Sequence, residues 1–458
     1  MRPTRWRRST HVVVGVAVLL LVAGVVAVAA VTTGGHSSDA AVKPAPPAAT
    51  AEPGIVPVTD SAPKPTPDRL AATLAPFLAD PNLGNLTGRI TDAMTGEQLW
   101  AQGADVPMLP ASTNKMLTTA AALLALDRDA RLTTRVLTGT RPGVVVLVGG
   151  GDPTLSAAPK GQATWYRDAA RISDLAEQVR SSGTDVTAVQ VDISAYSGPT
   201  MAPGWDPADI DGGDIAPMEA VMLDCGRTQP VSVESRRSTT PALDAGRALA
   251  MALKVDPARV TVLPSGLRGG TEIASVQSPP LMARLREMMN ASDNVMAEAI
   301  GREVAAAANK PQSFAGAVDA VLDELDGAKI DTGGATLLDS SGLSVDDRLT
   351  AETLDEVVNA AAGSAQPDLR PLVDLLPIAG GSGTLSNRYL DTDAGRAAAG
   401  FLRAKTGSLT AINSLAGIIT DASGRVLTFA LISNNAGPTG RIAIDNLAAT
   451  LRSCGCST

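Results

Sequence analysis

Ser112-Thr113-Asn114-Lys115 places a hydroxyl three residues ahead of an ammonium group. Positions i and i+3 share a helix face, so the two groups can meet. The pairing matters because the chain holds only two histidines, His11 and His36. A serine nucleophile needs a neighbouring base, and its commonest base is absent beyond position 36. A desolvated lysine beside other cations loses proton affinity and can take that task. The same spacing recurs at Ser61-Ala62-Pro63-Lys64, where Pro63, Pro65 and Pro67 forbid a helix. Taken alone, Ser112 reads equally well as a helix cap followed by a solvated lysine.

Two further clusters have chemical potential. Ser292-Asp293-Asn294 offers a hydroxyl, a carboxylate and an amide between two apolar stretches, able to shuttle a proton and hold a carbonyl. A capping serine is its bland reading, and Ser433-Asn434-Asn435 repeats the S-x-N pattern near the C-terminus. Lys405-Thr406-Gly407 occurs once, between Phe401 and Leu409. Lys405 and Thr406 can grip a carboxylate from a strand lining a cleft, and Gly407 lets a substrate backbone approach. An edge-strand lysine that deters aggregation is the alternative.

These residues need elements to position them. Asp68 is placed to cap a helix reaching Leu78, with Leu70 and Leu74 on one face. Thr87 to Ala93 and Gln98 to Gln102 read as a hairpin across Thr95-Gly96. Lys115 to Leu126 reads as a buried helix. Residues 131 to 275 change character, with β-rich Val136-Leu137 and Val144 to Val148 and the breaker Gly149 to Pro153. Leu281 to Met289 and Asn294 to Ala308 are helical. Phe401 to Leu409, Ser414 to Thr420 and Val426 to Ser433 form an antiparallel meander, closed by a helix from Arg441 to Leu451.

The 458 residues suffice for two or three lobes. Aromatics are 2%, so Ala, Val and Leu must build the core. The net charge is −9, which together with so few rings argues against nucleic acid as a partner. Arg2, Arg5, Arg7 and Arg8 precede Val12 to Val31, a 20-residue run without a charge. That length spans a bilayer, with the arginines kept inside and the rest exported. The run suits an uncleaved anchor; a cleavable signal ending at Ala27-Val28-Ala29 is the other reading. Proline-rich residues 32–68 make an extended spacer. Cys225, Cys454 and Cys456 are odd in number, leaving one thiol free or paired between chains.

The order S-x-x-K, S-x-N, K-T-G resembles the penicillin-recognising serine acyltransferases. The long gap from Lys115 to Ser292 narrows the resemblance to the class C low-molecular-mass penicillin-binding proteins, the D-alanyl-D-alanine carboxypeptidase/endopeptidase family of peptidase S13. Gly151-Asp152-Pro153-Thr154-Leu155, Gly204-Trp205, Asp339-Ser340-Ser341-Gly342-Leu343-Ser344, Leu376-Pro377-Ile378-Ala379-Gly380 and Gly383-Thr384-Leu385 are similar to that family too. The resemblance runs from about residue 70 to the C-terminus. One departure is Val345, where the family often carries arginine.

The resemblance implies an α/β (α+β) transpeptidase-like fold, an antiparallel sheet flanked by helices. It divides the chain into anchor or signal 1–31, linker 32–68, catalytic parts 69–130 and 276–458, and an inserted β-rich lobe 131–275. It implies Ser112 as nucleophile, Lys115 as its base, Ser292 as proton relay, and Asn294 orienting substrate and Lys115. Lys405 and Thr406, beside Gly407, would bind a terminal carboxylate. The N–H groups of Ser112 and Ser408 would make an oxyanion hole. Asp209 would meet the stem-peptide side chain, with Asp206, Asp211 and Asp214 close by. Neither cofactor nor metal is implied. The expected activity is D-Ala-D-Ala carboxypeptidase, with D,D-endopeptidase action open to the same acyl-enzyme. The expected partners are peptidoglycan stem peptides ending in D-Ala-D-Ala, β-lactams as covalent inhibitors, and the cell membrane through the N-terminal segment. Competing readings are a β-lactamase, disfavoured because no Glu-x-x-Leu-Asn stretch supplies a deacylating glutamate, and an inactive wall-binding module. A zinc peptidase is disfavoured for want of histidine ligands.

Overall fold

Ten strands and nine longer helices carry the chain from Pro67 to Thr450 among the described residues. The computed structural model describes residues 61–453 apart from 233, 234 and 268. These belong to one compact unit, Pro57–Thr458. The expected anchor at Val12 to Val31, most of the spacer, and Cys454 and Cys456 lie outside the described residues. Among those described, no helix is long and apolar enough to cross a membrane. Lys64 of the second S-x-x-K is not helical and pairs with Glu97.

Helix α1 (Pro67–Leu78) starts on a proline, whose fixed φ suits a first turn. Asp68 stands inside that turn rather than capping it, and the preceding Thr66 makes no side-chain cap. Strands β1 (Asn85–Asp92) and β2 (Gln98–Gln102) form the expected hairpin. Asp92 shapes its turn by accepting from the N–H groups of Met94 and Thr95. A 3₁₀ turn, Ala111–Asn114, then runs into α2 (Lys115–Ala125), which is buried along almost its whole length.

Next come β3 (Thr133–Thr138), β4 (Val144–Val148), α3 (Ile172–Ser181), β5 (Ala188–Asp192), α4 (Pro241–Ala252), β6 (Thr261–Leu263) and β7 (Glu272–Gln277). Their sheet has the order β6-β5-β4-β3-β7. Strands β4, β5 and β6 are parallel, whereas β3 runs antiparallel to β4 and β7. Parallel neighbours need long crossovers, and α3 and α4 lie within them. The β-rich stretch therefore also carries two amphipathic helices. Leu175, Val179, Ala245 and Leu249 from these helices meet Val145, Leu147, Val189 and Val191 in one core.

Helices α5 (Leu281–Ala291), α6 (Asn294–Ala307), α7 (Phe314–Gly327) and α8 (Ala351–Ala362) follow. Strands β8 (Leu402–Leu409), β9 (Ile412–Thr420) and β10 (Val426–Asn434) and helix α9 (Gly440–Thr450) complete the chain. The meander joins the first hairpin through β1 and β10, giving one antiparallel sheet ordered β2-β1-β10-β9-β8. Strand alternation sorts its two faces. Phe429 and Leu431 join Leu70, Leu74, Ile444 and Leu447 of α1 and α9. Ala430 and Ile432 join Met116, Leu117, Ile300, Val321 and Val358 of α2, α6, α7 and α8. The sheet is sandwiched between these layers, with β8 at its edge.

Candidate active site

Three segments far apart in sequence converge beside the edge strand. Asn434 fixes the approach to Ser112. Its Oδ1 accepts from Leu109 N–H (3.0 Å) and its Nδ2 donates to the Leu109 carbonyl (3.1 Å). The hydroxyls of Thr113 and Ser414 both donate to the Pro110 carbonyl, each at 2.6 Å. Ala111 then turns the chain at φ +48°, a left-handed conformation seldom adopted by residues with a Cβ. Ser112 follows in the 3₁₀ turn, and Lys115 opens α2.

Lys115 Nζ donates to Ser112 Oγ (2.9 Å), Asn294 Oδ1 (2.6 Å) and the Ser341 carbonyl (2.7 Å). These acceptors use all three of its protons. The side chain is fully buried, and burial pulls its pKa from 10.5 down to about 8, against the opposing pull of Asp339, Glu298, Asp293 and Asp347. The loop supplying Ser341 is bound to α2 by three successive carbonyls. Asn114 Nδ2 reaches Asp339 O (3.0 Å), Thr118 Oγ1 reaches Ser340 O (2.6 Å), and Lys115 takes the third.

Ser292 ends α5 at φ +58°, ψ +36°, the second left-handed non-glycine residue of the site. Lys405 Nζ donates to Ser292 Oγ and to the Thr406 carbonyl, both at 2.8 Å. Burial, then the charges of Lys115 and Arg388, hold Lys405 well below its usual pKa. Arg388 itself is fixed by Asp445, with Nε to Oδ2 at 2.8 Å. Thr406 Oγ1 and Thr384 Oγ1 are hydrogen-bonded at 2.9 Å.

Ser112, Asp209, Ser292, Asn294, Thr406 and Ser408 line one cleft of about 490 Å³. Lys115 and Lys405 form its floor through their bonds to Ser112, Asn294 and Ser292. Asp209 shares the far wall with Asp214. Burial, followed by Asp214 and Asp206, raises the Asp209 pKa.

Two sequence readings need correction. Gly407 does not open onto substrate. A Cβ there would collide with Ser414 Oγ and with the Pro110 carbonyl, so its missing side chain lets β8 press against the turn bearing Ser112. The carboxylate of Asp293 is likewise turned away from the cleft. It caps α6 through Met296 N–H and binds Tyr166 (2.7 Å) and Arg227 (3.0 Å). Burial opposes its ionisation, but Arg237 and Arg227 hold it well below the usual carboxylate range.

Sequence reasoning passed over several supporting residues. Trp205 Nε1 donates to Asp339 (2.8 Å), and Asn294 Nδ2 donates to the Asp214 carbonyl (3.1 Å). Trp205 and Asp339 stand in stretches already noticed. Asn434 belongs to the second S-x-N, which serves as a clamp. Val345 is 52% exposed beside the cleft residue Leu343.

Residues 70–235 and 228–451 match the model of the D-Ala-D-Ala carboxypeptidase 3 (S13) family. Residues 1–57 match that of the Carboxypeptidase Rv3627c-like, N-terminal domain. Carboxypeptidase DacB of Mycolicibacterium smegmatis is 75% identical over 458 residues, covering 100% of both chains. Carboxypeptidase Rv3627c of Mycobacterium tuberculosis is 66% identical over 462 residues, again covering 100% of both. Penicillin binding protein 4 of Haemophilus influenzae shares the fold, with a TM-score of 0.67 at 23% identity over 84% of this chain and 98% of that one.

Proposed function

The chain belongs to the D-Ala-D-Ala carboxypeptidase (S13) family, and from that premise we propose how its own residues divide the reaction. It is a serine-type D-alanyl-D-alanine carboxypeptidase of the class C low-molecular-mass penicillin-binding kind, acting outside the cytoplasm.

Neutral Lys115 takes the Ser112 proton as Oγ attacks the carbonyl carbon joining the two D-alanines. The N–H groups of Ser112 and Ser408 receive the oxyanion. As the C–N bond breaks, Ser292 relays to the leaving amine the proton that Lys115 took, so Lys115 is neutral again and the acyl group stays on Ser112. Water then attacks the ester, Lys115 accepts its proton and passes one to Ser112 Oγ as the ester bond breaks, and the shortened peptide leaves as the acid. Lys405, Thr406 and Ser408 hold the terminal carboxylate, which favours the charged form of Lys405. Asn294 orients Lys115 and the substrate amide, and Asp209 meets the third residue of the stem peptide. A penicillin nucleus offers the same carboxylate beside a reactive acyl group and acylates the same hydroxyl.

The observation that carries this reading is the buried Lys115 Nζ lying 2.9 Å from Ser112 Oγ. Ser112→Ala should abolish both the covalent penicillin adduct, read by intact mass, and D-Ala release. The barrier rises by several kcal/mol, as when other concerted nucleophiles are removed. An adduct persisting on the alanine variant overturns the assignment. Mass analysis of digested muropeptides separates the activities: loss of one D-Ala is carboxypeptidase action, and cleaved cross-links are endopeptidase action.

The domain division is part of this proposal. Segments 69–130 and 276–458 form the catalytic domain, and 131–275 is an insertion whose strands form a separate sheet. Residues 1–31 anchor the enzyme to the membrane and 32–68 space it from the surface, supported by the charge-free run after four arginines. Membrane fractionation with and without residues 1–31 tests the anchor.

A further inference from the structure

We propose that the hydrogen bond from Trp205 Nε1 to Asp339 is a positioning device that sets the electric field beneath Lys115 and thereby the pH at which the site becomes active. This rests on Lys115 being the base. Asp339 is fully buried and its carboxylate is saturated with donors. Oδ1 accepts from Ser341 N–H (2.9 Å) and Gly342 N–H (2.5 Å). Oδ2 accepts from Ser344 N–H and Trp205 Nε1, both at 2.8 Å. The backbone donors belong to the loop whose Ser341 carbonyl touches Lys115. The fourth comes from a different segment, and the Asp347 carboxyl, kept protonated by burial, is a further side-chain partner of that carboxylate.

Trp205 is itself held firmly. Its ring meets Phe314 edge-on, with centroids 5.0 Å apart. Ser344 Oγ donates to the Pro203 carbonyl (2.8 Å), fastening the two segments a second time. The titratable and charged groups facing Lys115 are few. Asp293 and Glu298 come from α6, with Arg302 beyond Glu298, and Asp339 and Asp347 come from the loop. Lys405 faces it from β8. Asp339 is the strongest of the four acids favouring the Lys115 ammonium. An indole N–H pointing at Asp339 blunts that negative field, so less of it reaches the lysine.

The test is the pH dependence of acylation by a fluorescent penicillin and of D-Ala release. Trp205→Phe keeps the ring against Phe314 and removes only the donor. Its acid limb should move up by about half a pH unit, with a roughly threefold loss at pH 7. By pH 9 the rate should return to within about twofold of the parent, because Lys115 is then largely neutral. Asp339→Asn should move the limb the other way. A merely structural role lowers the rate equally at every pH and leaves the limb in place, and that result overturns the proposal. A parent enzyme with no acid limb near pH 8 overturns instead the assignment of Lys115 as base. Should Asp339→Asn not fold, Trp205→Phe alone decides.

Discussion

At the scale of single residues, the site rests on a lysine whose surroundings make it unlike a lysine in water. Lowering its pKa from 10.5 to about 8 raises the neutral fraction at pH 7 roughly 300-fold. The rate of Ser112 acylation should therefore climb with pH toward a plateau above about 8. Stopped-flow acylation from pH 6 to 9 measures this limb, and the two facing lysines share it as a coupled pair. Lys115→Arg, which cannot act as a base at these pH values, should lose on the order of 10³-fold or more at every pH. None of this was visible in S-x-x-K itself, since the spacing at Ser61 is identical. The missing histidines and the later motifs drew attention to Lys115. Its burial comes from α6 and the 339–341 loop, whose contacts join residues more than 170 positions away in the chain.

At the scale of elements, two glycines let the Ser112 segment sit where it does. A Cβ on Gly342 would overlap the Ala111 carbonyl, and its φ of +79° is strained for any side chain. Gly342→Ala should push the Ser112 turn outward. We expect the acylation rate constant to fall at least 100-fold, measured with the same penicillin, while far-ultraviolet circular dichroism stays close to the parent. The strands and helices bearing Ser112, Asn294 and Lys405 were legible because their patterns are strong. The alternation in β8 to β10 and the run of Ala and Leu in α2 have few other interpretations. Helices α3, α4, α7 and α8 were missed although Ile172, Leu175, Ala176 and Val179 keep helical spacing. Dense glycine and proline around α3 masked its ten residues. The role of Gly407 was misread for a different reason. From sequence a small residue on a strand shows only that something comes close, and here the neighbour is Pro110.

At the scale of the whole molecule, buried acids should govern stability. Burial raises Asp347 to about 10, Asp224 and Glu298 to about 7, and Asp355 to about 6. Each folded carboxyl holds a proton that the unfolded chain releases near pH 4. The stability from these protons is complete below about pH 4 and drains away as pH rises through the folded values. Scanning calorimetry should show Tm falling by several degrees from pH 5 to pH 8, while acylation speeds up across the same range. Asp293 behaves in the opposite sense, because its depressed pKa makes it lose stabilisation only in strong acid. Asp293→Asn should cost about 3–5 kcal/mol in urea unfolding, since it leaves Arg227 and Arg237 buried without their counter-charge.

The pairing of β1 with β10 has a consequence in time. Leu86 lies opposite Ser433, so a strand made early is completed only by one made almost last. Asn434, which grips Leu109, emerges in the same closing stretch. As it is made, the chain therefore carries S-x-x-K, S-x-N and K-T-G well before the segment bearing Ser112 is fastened. A product ending shortly after Leu409 would contain every motif and still fail to react with penicillin. Reactivity toward penicillin should therefore arrive only when the last strand docks.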